Sequence, residues 1–305
     1  MSKRPILVTG AHCSGSTWVG RMLSAGDEAV YINEPFNIHH DPGICGAKFK
    51  YWFTYICPEN ARYYEPFLRD TVHLQYNLKA KLVSSSSISA ICQGITDALS
   101  LGRNRLEKKR PLLKDPIAVF SAEWLAVTFG MDVVITIRHP AAFAESLKSK
   151  NWVHPFSHFL EQSELMRDVL FPFETEIQEF VGKERNIIDQ AALLWKIIYS
   201  RVDTYRQSHP EWIFVRHEDL SRNPIQGYQK LYQLLDLKFT RDVQNTIEAY
   251  STKRTPDKEI EFRVIWRNSK SLIDKWQRQL TDDEIARIKA RVWDVSEKFY
   301  SEDEW

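Results

Sequence analysis

A chain of 305 residues with 43% hydrophobic content is long enough to bury a large core. Its 41 basic and 40 acidic residues leave a net charge of +1, which excludes a global basic field for nucleic acid, and no acidic tail is present. Met1-Ser2-Lys3-Arg4 leads straight into the first apolar segment without the stretch of a signal peptide or anchor, and nothing downstream approaches a membrane span. A soluble, cytoplasmic protein is expected; a chain trimmed of an anchor reads the same way.

Pro5-Ile6-Leu7-Val8-Thr9-Gly10 predicts a buried strand. Ala11-His12-Cys13-Ser14-Gly15-Ser16-Thr17-Trp18 then predicts a tight loop and the start of a helix running to Leu23. Such a loop aims backbone N–H groups and a helix dipole at one point, which suits a phosphate or another oxyanion. The Gly spacing is that of a Walker A loop, but Ser16 stands where that motif needs Lys. A cysteine-phosphatase loop is rejected, because the Arg it needs six residues after Cys13 is Val19. The other cysteines, Cys45, Cys57 and Cys92, form no C-x-x-C or zinc spacing, so reduced thiols are expected. Cys13 differs because it sits inside the anion loop.

Ala29 to Ile32 predicts a second strand, ending at Asn33-Glu34-Pro35. A Glu at a strand's carboxyl end faces the ligand edge, which makes Glu34 a candidate general base. Pro35 is expected to hold Glu34 extended. Residues 37–62 read as a loop or lid, and their His39-His40-Asp41 run fits no metal-ligand spacing. Residues 63–110 read as largely helical, with a turn or cap at Ser84 to Ser87, and the basic run from Arg103 to Arg110 reads as a solvated face. Strand residues Pro111-Leu112-Leu113 lead to Lys114 at their carboxyl edge, followed by a helix over 118–129. Asp132 to Ile137 is the clearest buried strand; Arg138-His139-Pro140 and a helix to Lys150 follow, with Ser146 inside it. Arg138 at a strand end is a natural anion fork. Residues 160–181 read as acidic and helical, and 187–208 as a long amphipathic helix. Trp212 to Val215 reads as the fifth strand, and Asn223-Pro224 as the cap of a helix to Leu235. Thr281-Asp282-Asp283-Glu284 is a capping box ahead of a last helix over 282–299.

Five strand–helix units with polar residues at successive strand ends predict an α/β fold. A mostly parallel central sheet is flanked by helices on both faces, and ligands sit at its carboxyl edge. One domain over 1–305 is expected, with a substrate-side insertion of loop and helix at 37–110.

This ordered set resembles the sulfotransferase family, which uses 3′-phosphoadenosine 5′-phosphosulfate (PAPS). The resemblance spans nearly the whole chain. Ser14-Gly15-Ser16-Thr17-Trp18 is similar to the family's 5′-phosphosulfate loop, and Arg138 with Ser146 matches its 3′-phosphate pair in type and spacing. Phe214 to Leu220 with Asn223-Pro224 is similar to its late strand and helix cap. Arg267 to Trp276 resembles its C-terminal cofactor segment. Glu34-Pro35 and Lys114-Asp115-Pro116 look more like the carbohydrate and tyrosyl-protein branches than the phenol branch.

The resemblance implies a P-loop-like architecture and in-line sulfuryl transfer from PAPS to a hydroxyl or amine. Small-molecule, carbohydrate, lipid-linked and peptide acceptors all stay open, and no metal is required. Cys13, Ser14, Gly15, Ser16, Thr17 and Trp18 are expected around the 5′-phosphosulfate, Arg138 and Ser146 on the 3′-phosphate, and Arg267 and Lys270 closing over it. Glu34 is expected to take the acceptor proton. Many members place Lys or Arg where this chain has Cys13, so Lys114, with His12, is expected to supply the charge. Two other readings stand beside this one. A P-loop small-molecule kinase is opposed by the missing loop Lys, and a non-catalytic nucleotide-binding protein is kept open by Cys13.

Overall fold

The computed structural model describes residues 3–182, 185–252 and 273–305. Among them, five strands form one sheet: β1 (Ile6–Gly10), β2 (Ala29–Asn33), β3 (Arg110–Lys114), β4 (Asp132–Ile137) and β5 (Ile213–Arg216). Their order is β2-β3-β1-β4-β5, and every neighbouring pair is parallel. Every residue of β1 is buried, as a central strand covered on both faces requires. Side chains alternate between the faces with a period of two. Leu7, Leu113, Val133, Ile135 and Ile137 enter one core; Ile6, Val8, Leu112 and Val134 enter the other.

The principal helices are α1 (Ser16–Leu23), α2 (Glu65–Val72), α3 (Leu78–Ser84), α4 (Ile88–Leu106), α5 (Ala122–Phe129) and α6 (Pro140–Lys150). They continue with α7 (Ile187–Ser208), α8 (His217–Arg222), α9 (Pro224–Leu234), α10 (Arg241–Thr252) and α11 (Asp282–Ser296). α6, α7 and α11 bury apolar residues in the first core, and α1, α9 and α10 in the second. The chain leaves β1 toward β2 on one side and leaves β4 toward β5 on the other. The crevice at the carboxyl ends of β1 and β4 is therefore a topological switch point, where open α/β sheets bind ligands. No helix among the described residues is long and apolar enough to cross a membrane.

Several local expectations need correction. Arg110 is not part of a solvated face: it opens β3, is buried, and donates to Arg4 O, Leu235 O and the Asp132 carboxylate. The helix expected over 118–129 begins as a 3₁₀ segment, Pro116–Ser121, capped by Asp115. Residues 163–180 are helical as expected, in a succession of short pieces that includes a π segment at Met166–Leu170. Asn223 precedes α9, but its side chain makes no capping bond. The capping box at Thr281 and Glu284 is present.

Candidate active site

The loop between β1 and α1 is shaped by backbone conformations that few residues adopt. Gly10 has φ 141° and Gly15 φ 90°, and Cys13 between them has φ 60°. A Cβ on Gly10 would stand 2.4 Å from Thr136 O, and one on Gly15 2.4 Å from the His217 ring. Both positions therefore exclude any side chain. No side chain caps the N-terminus of α1, and its first turn holds no acidic residue. The free N–H groups of this helix end remain available to an anion.

Two residues expected on that anion do other work. Ser14 is fully buried; its hydroxyl bonds Ala11 O and Thr136 Oγ1, and its N–H donates to Ala11 O. The N–H closes a turn within the loop, and the hydroxyl ties that turn to β4. Trp18 turns away, edge-on to His217 and Tyr228. Ser16, buried, and Thr17, exposed, stay at the helix start beside Gly15.

Glu34 and Lys114 meet at the same sheet edge. The backbone N–H of Glu34 donates to Lys114 O at 2.8 Å, continuing the β2–β3 ladder by one residue. The Lys114 ammonium pairs with Glu34 Oε1, and Asn37 Nδ2 donates to Oε2 at 2.9 Å. Lys114 is only 2% exposed, its stem packed beneath Gly20 of α1. Glu34 is not extended as Pro35 led one to expect: its φ is 46°, in the left-handed region. That conformation is costly for a non-glycine residue, more so before proline. The ladder bond and the ion pair hold it. Burial pushes the Glu34 carboxyl up, but Lys114 and Asn37 outweigh it and hold the pKa below its ordinary value. Asp115, next in the chain, is fully buried and receives the Phe36 N–H at 2.6 Å, which ties the turn after Glu34 to β3. Burial pushes its pKa up to about 7.

Arg138 lies across the crevice at the end of β4, 6% exposed. Its guanidinium donates to Cys13 O at 2.5 Å, and its Nε is buried without a partner. α7 holds its backbone in place: Trp195 Nε1 donates to Arg138 O at 2.9 Å, and Tyr199 accepts from its N–H at 3.2 Å. Ser146 is buried on α6.

His12 sits against Phe53, Phe143 and Trp152. Burial first, then the charge of Lys150, lowers its pKa to about 4, with Glu34 opposing. The ring is neutral at pH 7, so His12 brings no positive charge to the loop. That expectation is corrected by its aromatic surroundings.

Sequence reasoning missed Lys150, whose Nζ lies 3.1 Å from Cys13 Sγ. It also missed Asn37, Trp195 and Tyr199. No local spacing marks any of them. Arg267 and Lys270 lie outside the described residues. Where the chain is described again, Lys275 pairs with Glu145 of α6 at 2.5 Å and Trp276 stacks on His139. His39-His40-Asp41 holds no metal arrangement: His40 bonds the carbonyls of Asn37 and Cys45, and among the described residues no His, Cys, Asp and Glu cluster suits a metal ion.

The sequence model of the sulfotransferase family matches residues 5–241. The chain belongs to the sulfotransferase family. The match covers β1 to β5. No curated relative matches the sequence. Solved structures similar to this sulfotransferase include the sulfotransferase domain of the Synechococcus PCC 7002 olefin synthase, at 16% identity, 94% of this chain, 95% of that one and a TM-score of 0.47. The sulfotransferase domain from the curacin biosynthetic pathway is 14% identical over 95% of this chain and 98% of its own, with a TM-score of 0.48. Mouse sulfotransferase SULT7A1, complexed with PAP, is 10% identical over 98% of this chain and 85% of its own, with a TM-score of 0.45.

Proposed function

We propose that this sulfotransferase moves a sulfuryl group from PAPS to a hydroxyl or amine of an acceptor by in-line displacement. The observation that carries the reading is Arg138. A buried guanidinium with an orphaned Nε and no ion-pair partner among the described residues is costly unless an anion completes it. It stands beside the uncapped N-terminus of α1, the other natural anion seat. One phosphate on the α1 N–H groups and a second toward Arg138 is the charge pattern of an adenosine bisphosphate.

In the reaction, the acceptor oxygen or nitrogen forms a bond to sulfur while the bond from sulfur to the 5′-phosphate oxygen breaks. Glu34 accepts the acceptor's proton. Its lowered pKa makes it a weak base, so proton transfer is late and concerted with attack. Lys114 moves its ammonium from Glu34 to the departing phosphate oxygen, which frees Glu34 Oε1 at the same time. Charge stabilisation and positioning do the rest, as in phosphoryl transfer. The acceptor side is bounded by residues 37–62 and by the aromatic wall of Phe53, Phe143 and Trp152 around His12. Ser146, and Arg267 and Lys270 from the segment before Trp276, belong to the same reading as 3′-phosphate contacts. We place the whole chain, 1–305, in one catalytic domain, with 37–110 as its acceptor-side insertion.

Calorimetric titration with adenosine 3′,5′-bisphosphate, beside ADP and ATP with Mg²⁺, tests the donor. Micromolar binding of the bisphosphate with much weaker ADP is expected. A preference for ATP with Mg²⁺ overturns the reading in favour of a kinase.

A further inference from the structure

We infer that Lys150 supplies the full positive charge that the loop lacks, reaching the phosphosulfate from the far end of α6. The inference rests on reading the loop as the phosphosulfate seat. From Ala11 to Thr17 the chain holds no Lys or Arg. A helix N-terminus offers only about half a charge, shared among N–H groups. A transferring group with several anionic oxygens needs more than that.

The position of Lys150 meets the need. Its Nζ stands 3.1 Å from Cys13 Sγ and 4.4 Å from the centre of the Trp152 ring. A thiol sulfur is a weak acceptor, and an aromatic face attracts a cation without neutralising it. At least one of the three ammonium donors stays open. Among the described residues Lys150 makes no ion pair. Its neighbours differ: Lys148, two residues earlier, is chelated by Glu284 at 2.6 and 2.8 Å, and Lys275 is held by Glu145. Of these three lysines, the one without a carboxylate among the described residues is the one against the loop.

The placement follows from local structure. Lys150 is the last residue of α6, and Asn151 adopts φ 50° as its left-handed C-cap. That turn brings Trp152 back beneath the Lys150 ammonium and against His12. α6 begins at Pro140, two residues after Arg138. The two ends of this segment thus bring two cations to Cys13, Arg138 on its carbonyl oxygen and Lys150 on its sulfur. Lys150 also helps keep His12 neutral, so the two do not compete as cations.

The test compares wild type, Lys150→Ala, Lys150→Gln, Cys13→Lys and the double variant Cys13→Lys with Lys150→Ala. Each is titrated with adenosine 3′,5′-bisphosphate and with PAPS, and the release of sulfate from PAPS to water is followed in single turnover. Lys150→Ala and Lys150→Gln are expected to bind PAPS about tenfold more weakly, the size of one charge-assisted hydrogen bond, and to slow sulfuryl release. The double variant is expected to recover both, because its ammonium returns to the same place from the loop. A lysine that only favours the helix C-terminus changes melting temperature and nothing else, and that result overturns the inference. So does failure of the double variant to recover while Cys13→Lys alone binds normally. Wild-type protein that binds neither nucleotide overturns the reading of the loop itself, a different outcome from unchanged binding in the Lys150 variants.

Discussion

The Glu34 carboxylate and the Lys114 ammonium, 80 positions apart, close on each other at the carboxyl edge of β2 and β3. The pair sits where a left-handed Glu34 is held by a ladder bond to the residue it pairs with. The two charges are thus held as one neutral pair, which in the proposed reaction opens when the donor draws Lys114 away.

Glu34→Gln keeps the size of the side chain and an acceptor for Lys114 but removes the base. Turnover is expected to fall about 10²–10⁴-fold, the usual contribution of a positioned base. Affinity for adenosine 3′,5′-bisphosphate is expected to stay within about twofold, since Gln hands Lys114 to the phosphate no less readily. Steady-state rates beside calorimetry separate the two effects. Near-normal turnover removes Glu34 from the role of base.

Arg138 serves the loop through Cys13 O and, in the proposed reaction, the donor through its free donors. Arg138→Ala is expected to weaken bisphosphate binding by about 10–100-fold, the worth of hydrogen bonds to a charged group. Arg138→Lys is expected to recover little, because an ammonium cannot fork between a carbonyl and a phosphate. Equal affinities in all three proteins take Arg138 out of the site.

Gly15 has no room for a methyl group and a φ that disfavours one. Gly15→Ala is expected to cost about 1–3 kcal/mol of folding stability, the range for a strained backbone position. It is also expected to remove bisphosphate binding, since the loop must shift off His217. Denaturant melts and the same titration check this. A variant with wild-type stability means that the loop is not held in this shape.

His139 is buried between Trp276, Tyr300 and Trp305. Burial lowers its pKa from 6.5 to about 3. The unfolded chain therefore binds a proton below pH 6.5 that the folded chain refuses. Stability is full above that pH and falls as the solution is acidified toward pH 3, by up to about 1.4 kcal/mol per pH unit from this group. His139→Phe keeps the stack and removes the proton. Urea melts between pH 7 and 5 are expected to show a shallower acid slope for the variant. Parallel slopes mean that His139 is protonated in the fold.

The strands, the long helix over 187–208 and the capping box at Thr281 were legible because each is written within one window of local periodicity. Glu34, Lys114 and Arg138 were legible for a related reason. A parallel strand with a buried apolar run ends at the ligand edge, so a charged residue just past it must face that edge. Ser14 and Trp18 carried no such constraint. They sit beside a glycine turn, and their side-chain directions follow from φ values and neighbours that the spacing does not encode.

By itself, then, the amino-acid order determined which segments form the sheet, which residues stand at its carboxyl ends and where a glycine-bounded loop leads from the first strand into a helix. Short-range sterics and hydrophobic alternation suffice for that. Only the tertiary structure decided that Glu34 is left-handed and paired, that His12 is neutral, and that Ser14 anchors the loop. It alone brought Lys150 to Cys13 across 137 positions, and Trp195 and Tyr199 to the backbone of Arg138. Those outcomes depend on burial and on contacts between distant segments, which exist once the sheet has closed its two cores.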